Sequence, residues 1–217
     1  MSVLGDKPLS EFNKDDANRF RDWLYDETDY SLKKSPLSTS SVKRSMDSIN
    51  SVFNLANQEK SLGLDNPFAS LRYRKQEPKQ RPAIPEEQIA VIQELCIKHD
   101  DDMRWLIALI SDTGLRLGEA AGLERRHVDL SQDTPHLIIE ATDSRRLKTK
   151  TSKRRVPLVG MALWAARRAV EASLRNNTSF LFPRYNKQAN TNSNSASNGL
   201  NKWMKEHIPS DYVLHGF

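Results

Sequence analysis

The stretch from Asp112 to Leu123, D-T-G-L-R-L-G-E-A-A-G-L, decides how the chain around it folds. An apolar helical run ends near Ser111, Gly114 supplies a turn, and apolar and small residues then resume at helical spacing. Arg116 therefore lies at the entry of a short helix, in a packed corner that would restrict its side chain. Glu119 follows one turn later and can pair with Arg116 or with a neighbour. The spacing alone also allows an ordinary surface arginine at a helix–helix corner.

The flanking sequence predicts mainly helices with a small antiparallel sheet, an α+β fold. Helices are expected in P-E-E-Q-I-A-V-I-Q-E-L-C-I, in D-D-D-M-R-W-L-I-A-L-I-S and in M-A-L-W-A-A-R-R-A-V-E-A-S-L. Two short β-type runs, L-I-I-E-A and R-R-V-P-L, flank a basic turn and predict a hairpin. The Asn- and Ser-rich segment 186–198 predicts a flexible loop, followed by a short helix in G-L-N-K-W-M-K-E-H.

The chain divides at R-K-Q-E-P-K-Q-R-P-A-I-P, which has three prolines and almost no apolar content. We expect a small helical domain at 1–73, a basic linker at 74–84 and a second domain at 85–217. Helical patterns cover Leu9–Glu27 and Ser38–Lys60 in the first of these, and the pattern allows that its first helix is missing.

Composition excludes several classes of protein. The 217 residues carry a net charge of +5, a single cysteine and no apolar run long enough to cross a bilayer. Cys96 lies in an apolar helical pattern, which predicts a buried thiol. The acids Asp100, Asp101 and Asp102 precede a helix and predict a cap, not a metal site. We therefore expect an intracellular protein, without a metal or a small-molecule cofactor.

Positive charge is concentrated in two segments. Residues 72–81 contain five Lys or Arg and one acid, and residues 144–155 contain seven Lys or Arg and no acid. Such clusters suit contact with phosphates, and a merely solvated loop is the alternative at the second.

Three motifs resemble the tyrosine recombinases, the phage integrase family. T-G-L-R-L-G-E-A-A-G-L at 113–123, with H-V-D-L at 127–130, resembles the family's first arginine box. L-K-T-K-T-S-K-R-R-V-P-L at 147–158 resembles its basic β-hairpin, and L-H-G-F at 214–217 is similar to the opening of its histidine-x-x-arginine box. The N-terminal helices and N-P-F at 66–68 look like its core-binding domain.

The resemblance implies a helical, SAM-like core-binding domain followed by an integrase-type catalytic domain. Family members break DNA by attack of a tyrosine on a phosphodiester, which forms a 3′-phosphotyrosyl link without a metal. Arg116 would then clamp the phosphate, with Glu119 in support. Lys148 would protonate the leaving 5′ oxygen, with Lys150 as the second choice, and His215 would exchange a proton near the scissile phosphate.

The resemblance also implies partners. Double-stranded DNA would be held by Arg72, Arg74, Lys75, Lys79, Arg81, Arg145, Arg146, Lys150, Lys153 and Arg154, with Lys153 predicted as a backbone-phosphate contact. A full-length relative would act on its recombination sites as a homo-tetramer, in the cytoplasm of a bacterium that carries a phage or other mobile element.

Two parts of the family's catalytic set have no match in these residues. The second arginine would fall at position 218, and Tyr185 and Tyr212 fit no family position for the nucleophile. We therefore expect a truncated catalytic domain that binds DNA and does not cleave it. The alternative is a non-catalytic DNA-binding or regulatory protein derived from the same fold.

Overall fold

The computed structural model describes residues 3–26, 35–75, 82–142, 153–187, 190–208 and 212–217, with only the backbone of His215. The chain forms two compact units, Met1–Lys79 and Gln80–Phe217, and the division between them falls within the predicted linker. The assignment of these parts as a core-binding domain, linker and catalytic domain stays a prediction. Among the described residues, no helix is both long and apolar enough to cross a bilayer.

Helices dominate, with short antiparallel strands, which confirms the predicted fold class. The helices are α1 (Lys14–Tyr25), α2 (Thr39–Glu59), α3 (Glu86–His99), α4 (Asp102–Thr113), α5 (Leu117–Ala121), α6 (Gly160–Arg175) and α7 (Ser193–His207). The strands are β1 (Val128–Asp129), β2 (His136–Ile139), β3 (Arg154–Pro157), β4 (Asn186–Lys187) and β5 (Asn190–Thr191). Single 3₁₀ turns lie at Leu9–Glu11, Arg125–His127, Pro183–Tyr185 and Leu214–Gly216.

The first unit packs α1 against α2. The prediction of one helix from residue 9 was wrong at its start, because Asn13 caps α1: its side chain accepts from the N–H groups of Asp15 and Asp16, and the Asp16 carboxylate accepts from Asn13 N–H. The N-P-F motif is tied to α2 through Asn66, whose amide donates to the side chains of Asn50 and Asn54.

The second unit is built around α4, whose residues 105–110 are all buried. Helix α6 presents a face of alanines to the core: Ala162, Ala165, Ala166 and Ala169 are all at most 1% exposed. This spacing covers one side of the helix, and side chains this small let neighbouring backbones approach closely. Cys96 on α3 is buried as predicted, and its burial raises the pKa of the thiol to about 12.

Of the three consecutive acids, Asp101 caps α4 as predicted, and Asp102 lies in the first turn of that helix. Asp101 accepts from Arg104 N–H at the start of α4, while Asp100 ends α3 in the left-handed conformation and pairs with Arg168 of α6. Within the described part of the chain, no group of three His, Cys, Asp or Glu residues is arranged to hold a metal ion.

The predicted hairpin is confirmed, and a further strand extends it. Strands β1, β2 and β3 form one antiparallel sheet in that order. Leu137 pairs with Val156 and Ile139 pairs with Arg154. Directly paired residues share a face of the sheet, and Leu137 and Ile139 are fully buried. Arg154 therefore lies on the face that is turned toward the core.

The prediction of a loop over 186–198 was wrong. Strands β4 (Asn186–Lys187) and β5 (Asn190–Thr191) pair antiparallel, and α7 begins at Ser193. Asn192 caps this helix, since its side chain accepts from Ser195 N–H, and Ala196 is fully buried one turn later. Asn192 therefore acts as a helix cap, and the other Asn and Ser residues of this segment lie in β4, β5 and α7.

A close contact joins the end of α4 to the start of α6. The Asp112 carboxylate accepts from Met161 N–H at 2.7 Å and from Ala162 N–H at 3.3 Å. Gly160, the first residue of α6, has φ of +48°, and a Cβ placed there would lie 2.7 Å from Asp112 Oδ2. Glycine is required at this position both by its conformation and by the space that Asp112 occupies.

We expect Gly160→Ala to lower the free energy of unfolding by about 1–3 kcal/mol, because it adds backbone strain and displaces a helix cap. Urea unfolding followed by circular dichroism measures the change. Gly199→Ala, inside α7, is the matched control. A Cβ at position 199 would lie 3.5 Å from Met103 Cε, an ordinary van der Waals distance, so this variant should be as stable as the unchanged protein or slightly more stable. Equal effects of the two substitutions would contradict this account.

Candidate functional site

Arg116 is held at the junction between α4 and α5. Gly114 ends α4 with φ of +60°, and Arg116 then takes an extended conformation as the N-cap of α5. Its carbonyl accepts from Glu119 N–H at 2.9 Å, and Leu115 and Leu117 on either side are buried. The backbone of Arg116 is therefore fixed, while its side chain remains 56% exposed.

Glu119 is the buried centre of the site, with its side chain only 5% exposed. Its Oε1 accepts from Arg116 Nη1 at 3.2 Å and from Arg154 Nη1 at 3.4 Å. Its Oε2 accepts from the backbone N–H of Arg116 at 3.3 Å and from Arg154 Nη2 at 2.8 Å. Two guanidinium groups thus flank one carboxylate, which leaves the three side chains with a net charge of +1.

The two arginines stabilise the negative charge of Glu119, although burial by itself would disfavour that charge. Burial raises the pKa of the carboxyl group, but the hydrogen bond and charge of Arg154, followed by the backbone N–H and charge of Arg116, outweigh it. The pKa of Glu119 therefore lies below its ordinary value near 4.5. The carboxylate remains ionised at neutral pH and orients both arginines.

Arg154 was predicted as a DNA contact, and in the structure its guanidinium pairs with Glu119. The sequence did carry a signal for this arrangement. In R-R-V-P-L, Arg154 alternates with Val156, and this pair shares its face with Leu137 and Ile139. This alternation indicates that Arg154 faces the core, but the prediction rested only on the positive charges of the segment. Arg155 lies on the opposite, outer face with Ile138.

The other predicted DNA contacts differ in their surroundings. Arg72 and Lys75 are exposed on the first unit. Arg74 is also exposed but stacks over the ring of Tyr25 at 4.3 Å. Lys153 is exposed and pairs with Glu140 at 3.2 Å. The remaining predicted contacts and the predicted catalytic lysine lie outside the described residues: Lys79, Arg81, Arg145, Arg146, Lys148 and Lys150.

The segment that contains His215 is anchored at both sides of that residue. Leu214 is buried, and its N–H donates to Asn201 Oδ1 at 2.9 Å. The Gly216 carbonyl accepts from Ile84 N–H at 3.0 Å. The backbone at 214–216 is therefore held against α7 and the start of the second unit. The structure describes only the backbone of His215.

Tyr185 is unsuited to attack on a substrate. Its hydroxyl is buried and has no hydrogen-bond partner among the described residues. Burial raises the pKa of this hydroxyl, which keeps it protonated. Tyr212 is partly buried against the core of the second unit.

Comparisons with known proteins agree with this architecture. Residues 83–217 match the Phage integrase family. The fold resembles the Tn1549 transposon integrase in complex with circular intermediate DNA, at 18% identity and a TM-score of 0.60, over 99% of this chain and 73% of that one. It also resembles a lambda integrase tetramer bound to a Holliday junction, at 16% identity and a TM-score of 0.64, over 99% of this chain and 60% of that one. A search of curated proteins found no match.

We expect Glu119→Gln to destabilise the second unit by about 3 kcal/mol at pH 7, because it leaves two guanidiniums beside a neutral amide. It should also flatten the acid limb of the stability curve. A carboxylate with a lowered folded-state pKa stabilises the fold above its unfolded pKa, and this contribution is lost as pH falls through the folded value. Chemical unfolding at a series of pH values from about 5 down to 3 measures both effects.

The control for this prediction is Glu206→Gln, which removes the same charge from an exposed side chain. Its curve should follow that of the unchanged protein. If Glu119→Gln did so too, the carboxylate would not be the stabilising centre of the site.

Proposed function

Because the chain belongs to the phage integrase family, we propose that it serves site-specific DNA recombination through a 3′-phosphotyrosyl intermediate. The observation that carries the proposal is the arrangement of Arg116, Glu119 and Arg154. A guanidinium on a fixed backbone, half exposed and oriented by a buried carboxylate, suits a phosphate whose charge grows during strand cleavage.

We propose a role in strand cleavage for each of the predicted catalytic residues. Arg116 would bind the non-bridging oxygens of the scissile phosphate, since its planar fork stays charged at any physiological pH. Lys148 would donate a proton to the leaving 5′ oxygen, and Lys150 is its alternative. His215 would exchange a proton at the same phosphate, on a backbone that Leu214 and Gly216 anchor.

Duplex DNA is the proposed partner. The basic segments 72–81 and 144–155 would supply phosphate contacts, and Arg72 and Lys75 are exposed for this role. Relatives of the same fold have been captured with DNA, one of them as a tetramer on a Holliday junction. We propose a homo-tetramer on paired sites for the complete protein, acting in the cytoplasm of a bacterium that carries a phage or other mobile element.

The polypeptide of residues 1–217 should bind DNA without forming a covalent link. Burial of the Tyr185 hydroxyl and its raised pKa argue against it as the nucleophile. The hydroxyl of Tyr25 is buried too, and burial raises the pKa of Tyr73. The cleavage step would then need a tyrosine other than these three.

We expect the 217-residue polypeptide to bind duplex DNA with an affinity that falls by about 10³-fold or more from about 50 to 200 mM salt. Fluorescence anisotropy with a labelled duplex measures this. Replacing Arg72 and Lys75 by alanine should each reduce the slope of log K against log salt by about 0.9. Lys60→Ala, on the same unit outside the basic segment, should leave the slope unchanged. Absent or salt-insensitive binding would refute the proposed partner.

In the complete product of its gene, we expect a covalent protein–DNA adduct on a nicked duplex that carries the recombination site. The adduct should form in EDTA, because protein side chains supply the positive charge. Arg116→Ala should slow it by about 10²–10³-fold, the usual cost of removing one stabilising donor.

Arg126→Ala is the matched control for Arg116. Arg126 is similarly exposed and pairs with Glu124 on the turn that follows α5. Its replacement should leave the rate of adduct formation unchanged. An adduct that requires a divalent metal, or that survives Arg116→Ala at full rate, would exclude the proposed mechanism.

A further inference from the structure

We propose that Arg154 is a positioning residue that acts through Glu119 to keep the Arg116 guanidinium turned outward, and that it is not a phosphate contact. The inference rests on the function proposed above for Arg116. It assigns a purpose to a side chain that belongs to the most basic segment of the chain yet lies on the core-facing side of its sheet.

Both arginines contact both oxygens of Glu119, but they use different groups to do so. Arg154 spans the carboxylate with Nη1 on Oε1 and Nη2 on Oε2. Arg116 contributes its backbone N–H to Oε2, and one guanidinium nitrogen, Nη1, to Oε1. Arg154 therefore occupies the fork-to-fork geometry that a lone guanidinium would otherwise take on this carboxylate.

This difference leaves Arg116 available for a ligand. In the described part of the chain its side chain touches Glu119 through Nη1 alone, and more than half of its surface is exposed. If Arg154 were removed, the vacated positions on Glu119 would favour a bidentate pair with Arg116. The guanidinium would then turn toward the buried carboxylate and away from the solvent side where a phosphate could reach it.

The position of Arg154 on its strand makes it a stable support. Arg154 is the first residue of β3 and pairs with Ile139, which is fully buried. The side chain of Arg154 is itself 37% exposed. A lysine in its place would keep the charge but would offer a point donor instead of a planar fork. The arrangement thus requires the shape of arginine as well as its charge, whereas a phosphate contact accepts either residue.

The arrangement also links two parts of the site. Arg154 lies six residues after Lys148, at the base of the basic hairpin, while Glu119 belongs to α5 and Arg116 is the N-cap of that helix. A fixed ion pair between β3 and α5 would hold the base of the hairpin at a constant place relative to the Arg116 backbone. Positioning of this kind matters because small misplacements of a reacting group cost large factors in rate.

The first test uses the DNA-free chain, so it does not depend on the proposed function. In ¹⁵N-labelled protein, the Nε–Hε signal of Arg116 is assigned by its loss in Arg116→Lys. We expect Arg154→Lys and Arg154→Ala to shift this signal, and Arg155→Ala, a neighbour on the outer face, to leave it in place. Arg154→Lys keeps the charge and most of the stem, so it decides the matter even if Arg154→Ala fails to fold. An unshifted Arg116 signal in Arg154→Lys would overturn the proposal.

The second test measures coupling in the complete gene product on the nicked duplex. Arg154→Ala should slow adduct formation by about tenfold to a hundredfold. In the Arg116→Ala background the same change should have no further effect, because Arg154 acts through Arg116. Effects that multiply would instead identify Arg154 as an independent phosphate contact. If the unchanged protein formed no adduct, the proposed function would fail, while the spectroscopic test would still decide the role of Arg154.

Discussion

One buried carboxylate organises this molecule's basic site. Glu119 is removed from water, and an isolated charge there would be costly, so two guanidiniums must compensate it. That requirement brings together Glu119 of α5 and Arg154 of β3, which lie 35 positions apart in the chain. The electrostatic demand of a single side chain therefore sets the relative placement of the helix corner and the sheet.

The rest of the second unit supports this arrangement. The buried helix α4 ends at Gly114, directly before the corner, and Asp112 at its end holds the first turn of α6. Helix α6 meets the core with alanines and packs against α4, and the Asp112 hydrogen bonds join the two helices at this point. A rigid joint is what a charged group needs if it is to meet a ligand without first reorganising.

Much of this could be predicted from the sequence where local rules dominate. The period of the apolar residues predicted α2, α4 and α6, the alternation in L-I-I-E-A and R-R-V-P-L predicted the hairpin, and Asp101 was predicted as a cap. Glu119 was predicted to pair with Arg116 or a neighbour, and it contacts both. Composition misled at 186–198, where Asn and Ser lie in β4, β5 and α7 and Asn192 caps that helix. The pairing of Arg154 with Glu119 was not predicted, because counting charges ignored the face on which the strand places each one.

The burial of Cys96 has a practical consequence. It is the chain's single cysteine, and it lies on α3 with its side chain fully buried in the core. Burial keeps its thiol in the unreactive protonated form. A thiol-specific dye can therefore label the protein only at moments when the second unit opens. The rate of labelling would therefore measure how often the second unit opens, without an engineered cysteine.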